Sequence, residues 1–573
     1  MKKLLFCLLI LICFGSLAQN NASSFDWSFN GGGGQNFTER LQYNSQGDLL
    51  FLMLISGQTT YGGVLVTEPG FGTNPGNTSF IGKRTQSGVS SVVIKINTPN
   101  NTGTNFQDFV IDSNDNIIVT GGTFGFDTTV FYNFGNGITL YGKGNFIAKF
   151  NPQGVCQWAN LINYNITTGN AAENKNIALG ILPNNDIYFA NISNNGSKPF
   201  WLIKYNTAGV ELWHKEWLFP SSFSIQILSS KNNFFFDNTG KAYFYIYNAN
   251  GTPISVDGIA LTPPAGTHPT TCSLLTINND GTNGVFTTYR GIIADIAVEK
   301  TSGNILINWQ QYGANPAPFN TLPQIVPGNS AFQGIVALDS NRNFINTAGI
   351  QNAAQVESIF SLGNLNFVTN GRMVPNSGTK TILTQSFTPT KHTPTWVFYE
   401  NLIPKKFVAH PEINGSSGNS YDFMAIYGDK LAVSGKYRLA NNPTLTINGS
   451  ILTSCVQDPN YATQFPIYAS LQSDVFISQL TLDQNFLSSK SIKEIANISV
   501  YTNPTNSKLN FNLSNPIENA TLKLISLTGQ TVLEKQNLNG IDFNFDVSNL
   551  NSGLYLLQIS DGQYSYTSKF VKQ

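Results

Sequence analysis

The chain is poor in charge. Lys and Arg together number 32 of 573 residues, Asp and Glu also number 32, and charged residues make up 11% of the whole. So neutral and charge-poor a surface argues against nucleic acid or an anionic membrane as partner, because both require clustered Lys and Arg. Histidine is nearly missing. His214, His268, His392 and His410 are the full set, and none has a second His or a Glu at metal-ligand spacing. Zinc catalysis therefore finds no ligand pattern. No nucleophile-elbow motif announces a serine hydrolase, so a Ser-His-Asp arrangement would have to assemble from distant residues. Long charged helical stretches are absent. No segment beyond the N-terminus approaches the roughly 20 apolar residues of a membrane-spanning helix.

Cysteine is scarce too, and its placement follows from the N-terminus. Lys2-Lys3, the apolar run from Leu4 to Phe14 and Gly15-Ser16-Leu17-Ala18 before Gln19 have the order of a secretory signal peptide. Cys13 raises lipoprotein processing, but Ile12 precedes it where a small residue is expected. Cleavage after Ala18, removing residues 1–18, is the expectation. It would take Cys7 and Cys13 and leave Cys156, Cys272 and Cys455, which form neither a disulfide framework nor a metal knuckle. Cys156 falls inside a repeated strand and reads as a small buried hydrophobe. One pair of the three remains able to bridge in an oxidising compartment.

What is abundant is glycine (51 residues), aromatics (12%) and Asn, Thr and Ser, a mixture that favours short strands and many turns. The residues are organised around a two-part phrase between Asp108 and Trp158. Its first half, centred on Asp112-Ser113-Asn114-Asp115-Asn116, is strand, polar turn, strand. Its second, from Asn145 through Lys149 and Pro152-Gln153-Gly154 to Trp158, is strand, turn, return strand ending in Trp. The turn half recurs near 47, 116, 185, 240, 303, 363 and 428, and the second, carrier half at 95, 149, 204, 276, 337, 385 and 479. The halves alternate without a miss, with 55 to 69 residues between successive turns. Asn, Asp and Gly supply the positive-φ positions of hairpins, and the apolar and aromatic residues behind them supply strands.

A unit of several strands that cannot bury both faces alone must stack on its neighbours. Seven such units predict a β-propeller over residues 22–487, whose radial packing leaves only short sheet edges. The units exceed the roughly 40–45 residues of a WD40 blade, so the surplus is expected in loops such as 62–87 and 439–469. Residues 25–29 are expected to complete the sheet holding the last carrier. Trp27 with Gly31-Gly32, then turn, strand and Gly, then a carrier with Lys-x-Asn, resembles the SBBP-type seven-bladed propeller repeat of secreted bacterial proteins over about residues 22–488. The closing Trp occurs at Trp158, Trp213 and Trp396 but not in every unit, and the carrier Lys is lost after Lys204.

After Asn485 the character shifts. Residues 488–497 read as a linker and 498–573 as a small β-sandwich of seven short strands. Val500-Tyr501-Thr502-Asn503-Pro504-Thr505, Leu527-Thr528-Gly529-Gln530, Leu550-Asn551-Ser552-Gly553-Leu554-Tyr555 and Lys569-Phe570-Val571-Lys572 resemble the type A C-terminal sorting domain of the type IX secretion system of Bacteroidetes. Thr502 stands where that family usually has Pro. The resemblance implies contact with the type IX machinery, export through periplasm and outer membrane, removal of the module near the linker, and release or lipopolysaccharide attachment.

No residue is assigned to catalysis, to a cofactor or to a metal. Residues 31–34 are four glycines without the Lys-Ser/Thr of a phosphate loop. Asp112 to Asn116 and Asn278-Asn279-Asp280-Gly281 have oxygen ligands at calcium-loop spacing, but lack the bidentate Glu and fall at hairpin turns. Lys95, Lys149 and Lys204 recur by register. His214, between Trp213 and Lys215 in a strand, reads as a packing or rim residue. The tryptophans read as packing between units, with Tyr132, Tyr141 and Tyr312 as weaker candidates for sugar contact. The favoured expectation is a secreted or surface-displayed propeller that binds a protein or glycan without catalysis. The alternatives are a polysaccharide hydrolase or lyase with paired carboxylates at the channel, and a structural adhesin. Function is to be sought where the copies differ.

Overall fold

The computed structural model describes residues 25–30, 35–56, 58–61, 64–67, 78–96, 104–123, 131–142, 145–162, 177–191, 200–217, 225–227, 235–248, 253–262, 271–312, 331–349, 355–373, 380–382, 385–387, 393–409, 420–437, 444–447, 450–453, 474–481, 493–494, 498–501, 503–526, 530–560 and 564–573. The segment expected as signal peptide, the glycines at 31–34, Cys455, His268, His392, His410, Thr502, residues 527–529 and most of 488–497 lie outside these, as do the side chains of Trp27 and Tyr312. The chain divides into two compact units, Met1–Thr481 and Leu482–Gln573.

The Asp108–Trp158 phrase folds into one four-stranded antiparallel meander: Thr104–Ile111, Ile117–Thr123, Asn145–Phe150 and Cys156–Ile162. Its first turn closes because Asp112 accepts, at Oδ1, the N–H groups of Asn114 and Asn116, both at 2.9 Å. Asp115 takes the left-handed position at φ +60°. The strands read as nearly continuous apolar runs because successive residues serve two different cores. Phe109, Ile117, Val119, Phe146, Ala148 and Phe150 join Leu50, Leu52 and Ile81 of the preceding sheet. Val110, Ile118 and Ile147 join Leu179, Phe189 and Ile203 of the next one. Alternation of period two thus divides each strand between its neighbours.

Among the described residues seven sheets repeat this plan, spanning 35–95, 104–162, 177–217, 225–290, 292–349, 355–409 and 420–481, here sheets 1 to 7. Sheet 7 takes its fourth strand from the other end of its unit: Phe25–Asn30 pairs antiparallel with Asp474–Thr481. Shared cores continue around the set. Tyr188 and Leu202 meet Phe244 and Leu275, Tyr243 and Leu274 meet Ile296 and Ile307, and Leu306 and Ile335 meet Phe367 and Val397. Asn366–Met373 then approaches Ser420–Tyr427, and Ala432 and Ile477 meet Phe51 and Met53 of sheet 1. The ring closes, and the first unit is a β-propeller. First strands approach one another between sheets 7 and 1, 1 and 2, 2 and 3, 4 and 5, and 5 and 6, which sets them nearest the axis.

All seven sequence turns fall between the first and second strands of their sheets. Two carriers do not fall where they were expected. Lys95 lies on the fourth strand of sheet 1, Ser90–Lys95, and the third-strand lysine equivalent to Lys149 is Lys83. The periodicity was interrupted there by Gly82, whose missing Cβ leaves room for the Phe51 ring: a Cβ would sit 2.3 Å from it. In sheet 6 the third strand is Thr393–Glu400, whereas Gln385–Phe387 pairs with Lys380–Ile382 in a separate hairpin. Trp396 consequently belongs to that third strand, fully buried, and does not close the unit. Hairpins of this kind also stand between second and third strands in sheets 1, 2, 4 and 7. They account for part of the extra length. Two turn on Asn136-Gly137 and Asp257-Gly258, all four residues at positive φ.

The second unit is built on two long strands, Lys508–Ser526 and Thr531–Asp546, where the sequence predicted four short ones. Register shifts between Asn512 and Leu522 bend this pair, so its two halves serve different layers. One half lies beside Ile498–Tyr501, the other beside Gly553–Ser560, which pairs with Tyr564–Lys572. Leu509, Phe511, Leu522, Leu524, Leu557 and Phe570 are enclosed between them as the core of the β-sandwich. Two signature motifs far apart in sequence are joined here. The Val571 N–H donates to Asn503 Oδ1 at 2.8 Å, and the Thr505 N–H donates to the Val571 carbonyl at 2.8 Å.

Candidate functional site: the turn face of the propeller

In a meander the first-to-second and third-to-fourth turns lie at the same end of the sheet, so both sets share one face of the propeller. Neighbouring turns are tied to each other there. Asp115 accepts the Ser45 N–H at 2.8 Å and the Ser45 hydroxyl at 2.7 Å. Asn185 Oδ1 accepts the Ser113 N–H at 3.0 Å, the Tyr188 hydroxyl donates to the Gly240 carbonyl at 2.6 Å, and the Tyr427 hydroxyl donates to the Ser45 carbonyl at 3.0 Å.

The recurring lysines cross-link this face. Lys149 Nζ lies 2.8 Å from Asp112 Oδ2 in its own sheet and 2.9 Å from Thr207 Oγ1 in the next. Lys204 Nζ repeats the pattern, 3.0 Å from Asp186 and 2.7 Å from Asn279 Oδ1. Burial alone would raise the Asp112 carboxyl, but bonds from Lys149, Asn116 and the Asn114 and Asn116 N–H groups outweigh it and hold it below the usual carboxylate range. The turn aspartates singled out by spacing alone thus act as anchors in the architecture.

A tryptophan accompanies each of these lysines. Trp158 pairs across the ladder with Lys149, and Trp213 with Lys204. Each indole reaches the following sheet, where Nε1–H donates to the carbonyl of Thr207 at 3.2 Å or of Asn279 at 2.9 Å. Each also lies against a positive-φ glycine of that turn: a Cβ on Gly209 would be 2.8 Å from the Trp158 ring, and one on Gly281 3.1 Å from Trp213. The seat therefore has fixed parts: a carrier lysine, an indole, a turn carbonyl and a bare turn glycine.

Between sheets 1 and 2 the indole is missing. The ladder partner of Lys83 is Ser91. The turn glycine is still present as Gly154, at φ +82°. What results is a half-open cavity of about 340 Å3 lined by Asn44, Asp48, Leu50, Lys83, Ser91 and Gln153, among others. Between sheets 4 and 5 the tryptophan is missing too, but Arg342 replaces the turn glycine, at φ +73°, and lays its guanidinium 5.6 Å from the Tyr243 ring centroid. Tyr243 holds the register of Tyr188, which flanks Trp213 at 5.8 Å, so Arg342 occupies the equivalent room from the other side. Between sheets 1 and 2 the room against the turn glycine is taken by backbone: a Cβ on Gly154 would be 2.0 Å from the Val93 carbonyl oxygen. In the cavity Lys83 Nζ is 3.9 Å from Asp48, looser than its two counterparts. The turn position held by Thr207 and Asn279 is Pro152, which has no side-chain acceptor.

Other candidates resolve differently. Asp108, on the first strand of sheet 2, is 1% exposed. Burial pushes its carboxyl up to about 6, against the opposing pull of Arg40 and of the Leu179 and Phe109 N–H groups. Its Oδ2 takes the Leu179 N–H at 2.7 Å, as Asp295 takes that of Ile359 at 2.8 Å, so both carboxylates tie adjacent first strands together. His214 lies at the surface, its Nδ1 2.7 Å from Glu211 and its ring against Trp201. Asp280 caps its own turn through Thr282. Tyr132 is completely buried against Phe134 and Phe146, which rules it out as a sugar contact, whereas Tyr141 is exposed. Cys156 and Cys272 are buried free thiols, each pushed up to about 12 by burial. The cavity had no specific sequence signal, because the closing tryptophan is missing from several units and not from the first alone.

Residues 499–573 match the family model of the secretion system C-terminal sorting domain. This segment is a type IX sorting domain, which implies interaction with that secretion machinery and export to the cell surface or medium. Among solved structures the chain is similar to a protein of unknown function from Dyadobacter fermentans (7% identity, 81% of this chain and 100% of that one, TM-score 0.36). It is also similar to the β-propeller domain of the Trilobed protease from Pyrococcus furiosus (8%, 73% and 97%, TM-score 0.36) and to an ulvan lyase of a polysaccharide lyase family (11%, 76% and 97%, TM-score 0.36). No curated protein matches the chain. No helix among the described residues is long and apolar enough to cross a membrane.

Proposed function

We propose that the protein is a seven-bladed, SBBP-type propeller with a type A sorting domain, acting outside the cell as a non-enzymatic module that binds a protein or a glycan. In this reading residues 1–18 are the signal peptide, 22–487 the propeller, 488–497 the linker and 498–573 the sorting domain removed on export. The observation that carries the binding role is the half-open cavity between sheets 1 and 2, whose mostly polar wall offers donors and acceptors from Asn44, Asp48, Lys83, Ser91 and Gln153. Its two carboxylates are engaged in architecture: Asp48 with Lys83 and the Gln86 N–H, Asp115 with Ser45. That favours binding over acid–base chemistry. Protein recovered from the medium, its intact mass lacking residues 1–18 and the sorting domain, is to be applied to immobilised peptides and envelope glycans. We expect capture by one class, weakened in Lys83→Ala. Capture of nothing would refute the binding role, and release of cleaved oligosaccharide would replace it with the hydrolase or lyase reading.

A further inference from the structure

Of the three carrier lysines that meet a turn carboxylate, Lys83 is the one left short of partners. Lys149 and Lys204 each hold a carboxylate at 2.8 or 3.0 Å and a turn side chain at 2.9 or 2.7 Å. Lys83 Nζ stands 3.9 Å from Asp48 Oδ2, beyond hydrogen-bond reach, and Pro152 offers it no side-chain acceptor. Ser91 and Gln153, also on the cavity wall, make no side-chain hydrogen bond among the described residues. Resting on the reading of this cavity as a binding site, we infer that it receives a neutral saccharide unit through adjacent hydroxyls. A hydroxyl both donates and accepts. One set between Lys83 and Asp48 accepts from the ammonium and donates to the carboxylate at once, and its neighbour on the sugar ring meets Ser91 or Gln153. Charge narrows the class further. The wall carries two carboxylates, Asp48 and Asp115, against one lysine, which disfavours an anionic sugar, and a cationic side chain would lie against Lys83. Leu50, Val92 and Val93 add apolar wall for the C–H edges of the ring. A volume of about 340 Å3 falls in the range of roughly 300–1,000 Å3 seen for ligand sites.

The test uses the full-length purified protein and the methyl glycosides of glucose, galactose, mannose, fucose and rhamnose, with methyl glucuronide as the anionic probe, followed by saturation-transfer difference NMR. Transfer to at least one neutral glycoside is expected, and none to the glucuronide. Asp48→Asn and Lys83→Met should each weaken that binding by about fivefold or more, since each replaces a charge-assisted bond by a neutral one or by none. If either variant melts below the native protein, Gln153→Ala serves in its place, at an exposed turn position, with an expected loss of about threefold. Transfer to the glucuronide equal to that of the neutral glycosides would overturn the inference, as would binding that none of the three substitutions alters. Silence of all five neutral glycosides beside successful capture by immobilised peptide would overturn it too, while leaving the general binding role intact; failure of the peptide and glycan capture described above removes that role itself.

Discussion

Lys149→Met is the most revealing single change in the propeller scaffold. It leaves Asp112, whose side chain is fully buried, facing an apolar neighbour in place of an ammonium at 2.8 Å. Removing one partner of a buried ion pair destabilises by about 3–5 kcal/mol, because the remaining charge is uncompensated. Unfolding entropy is roughly 2.1 cal/mol/K per residue, so a propeller over residues 22–487 converts this to a fall in melting temperature of about 3–5 °C. Asp112→Asn with Lys149→Met removes both charges, and the pair should then melt within about 2 °C of the unsubstituted protein, reflecting a coupling of about 2–3 kcal/mol. The pH dependence carries a sign. In the native protein the Asp112 carboxyl is held below its ordinary value, so its contribution is present above the unfolded pKa of about 4 and is lost as pH falls through the folded value. In Lys149→Met that depression disappears, and the deficit should shrink as pH falls from 7 to 4. Calorimetry of the two single variants and the double variant at both pH values decides the matter. A double variant that loses the sum of the single losses, or a deficit flat with pH, refutes the buried anchor.

Asp108 should act with the opposite sign. Its folded pKa of about 6 exceeds the ordinary aspartate value of 3.8, so its favourable contribution is complete below about pH 4 and declines as pH rises through 6. The total is about 3 kcal/mol at 1.36 kcal/mol per pKa unit. Asp108→Asn should therefore gain about 3 °C relative to the native protein between pH 4 and 7, and a pH-independent difference contradicts the assignment. Gly209→Ala should lower stability by about 2–4 kcal/mol, combining left-handed strain of roughly 1–2 kcal/mol with displacement of the Trp158 ring. Gly258→Ala is its control, with similar φ but nothing within 4 Å of the added carbon. Equal losses at the two sites would show that the ring contact contributes nothing.

The turns were legible because their chemistry is local. Asp112, Asn185, Gly240 and Gly303 act through their own backbone within five residues, and each sits where the spacing put it. The carriers were less so, since a third strand is defined by its partners: Gly82 broke the pattern that marked Lys83, and Ser386 fell in a hairpin insertion that only pairing reveals. Merging of four short predicted strands into Lys508–Ser526 and Thr531–Asp546 has the same origin, because pairing lapses after Asn512 and resumes at Ile517 with the same partner strand. The cavity was the least accessible feature. It depends on Ser91 and Pro152 lacking what their counterparts possess, and a missing side chain has meaning only once its seat is known.

Closure of the ring by Phe25–Asn30 against Asp474–Thr481 has a consequence for the order of events during synthesis. Contacts so distant along the chain form slowly, since a very long loop must close before they are rewarded. The first strand waits, edge exposed, until its partner leaves the ribosome, and the sorting domain at 499–573 follows almost at once. A chain that ends before residue 474 therefore has neither the strand that closes the ring nor the sorting segment at 499–573.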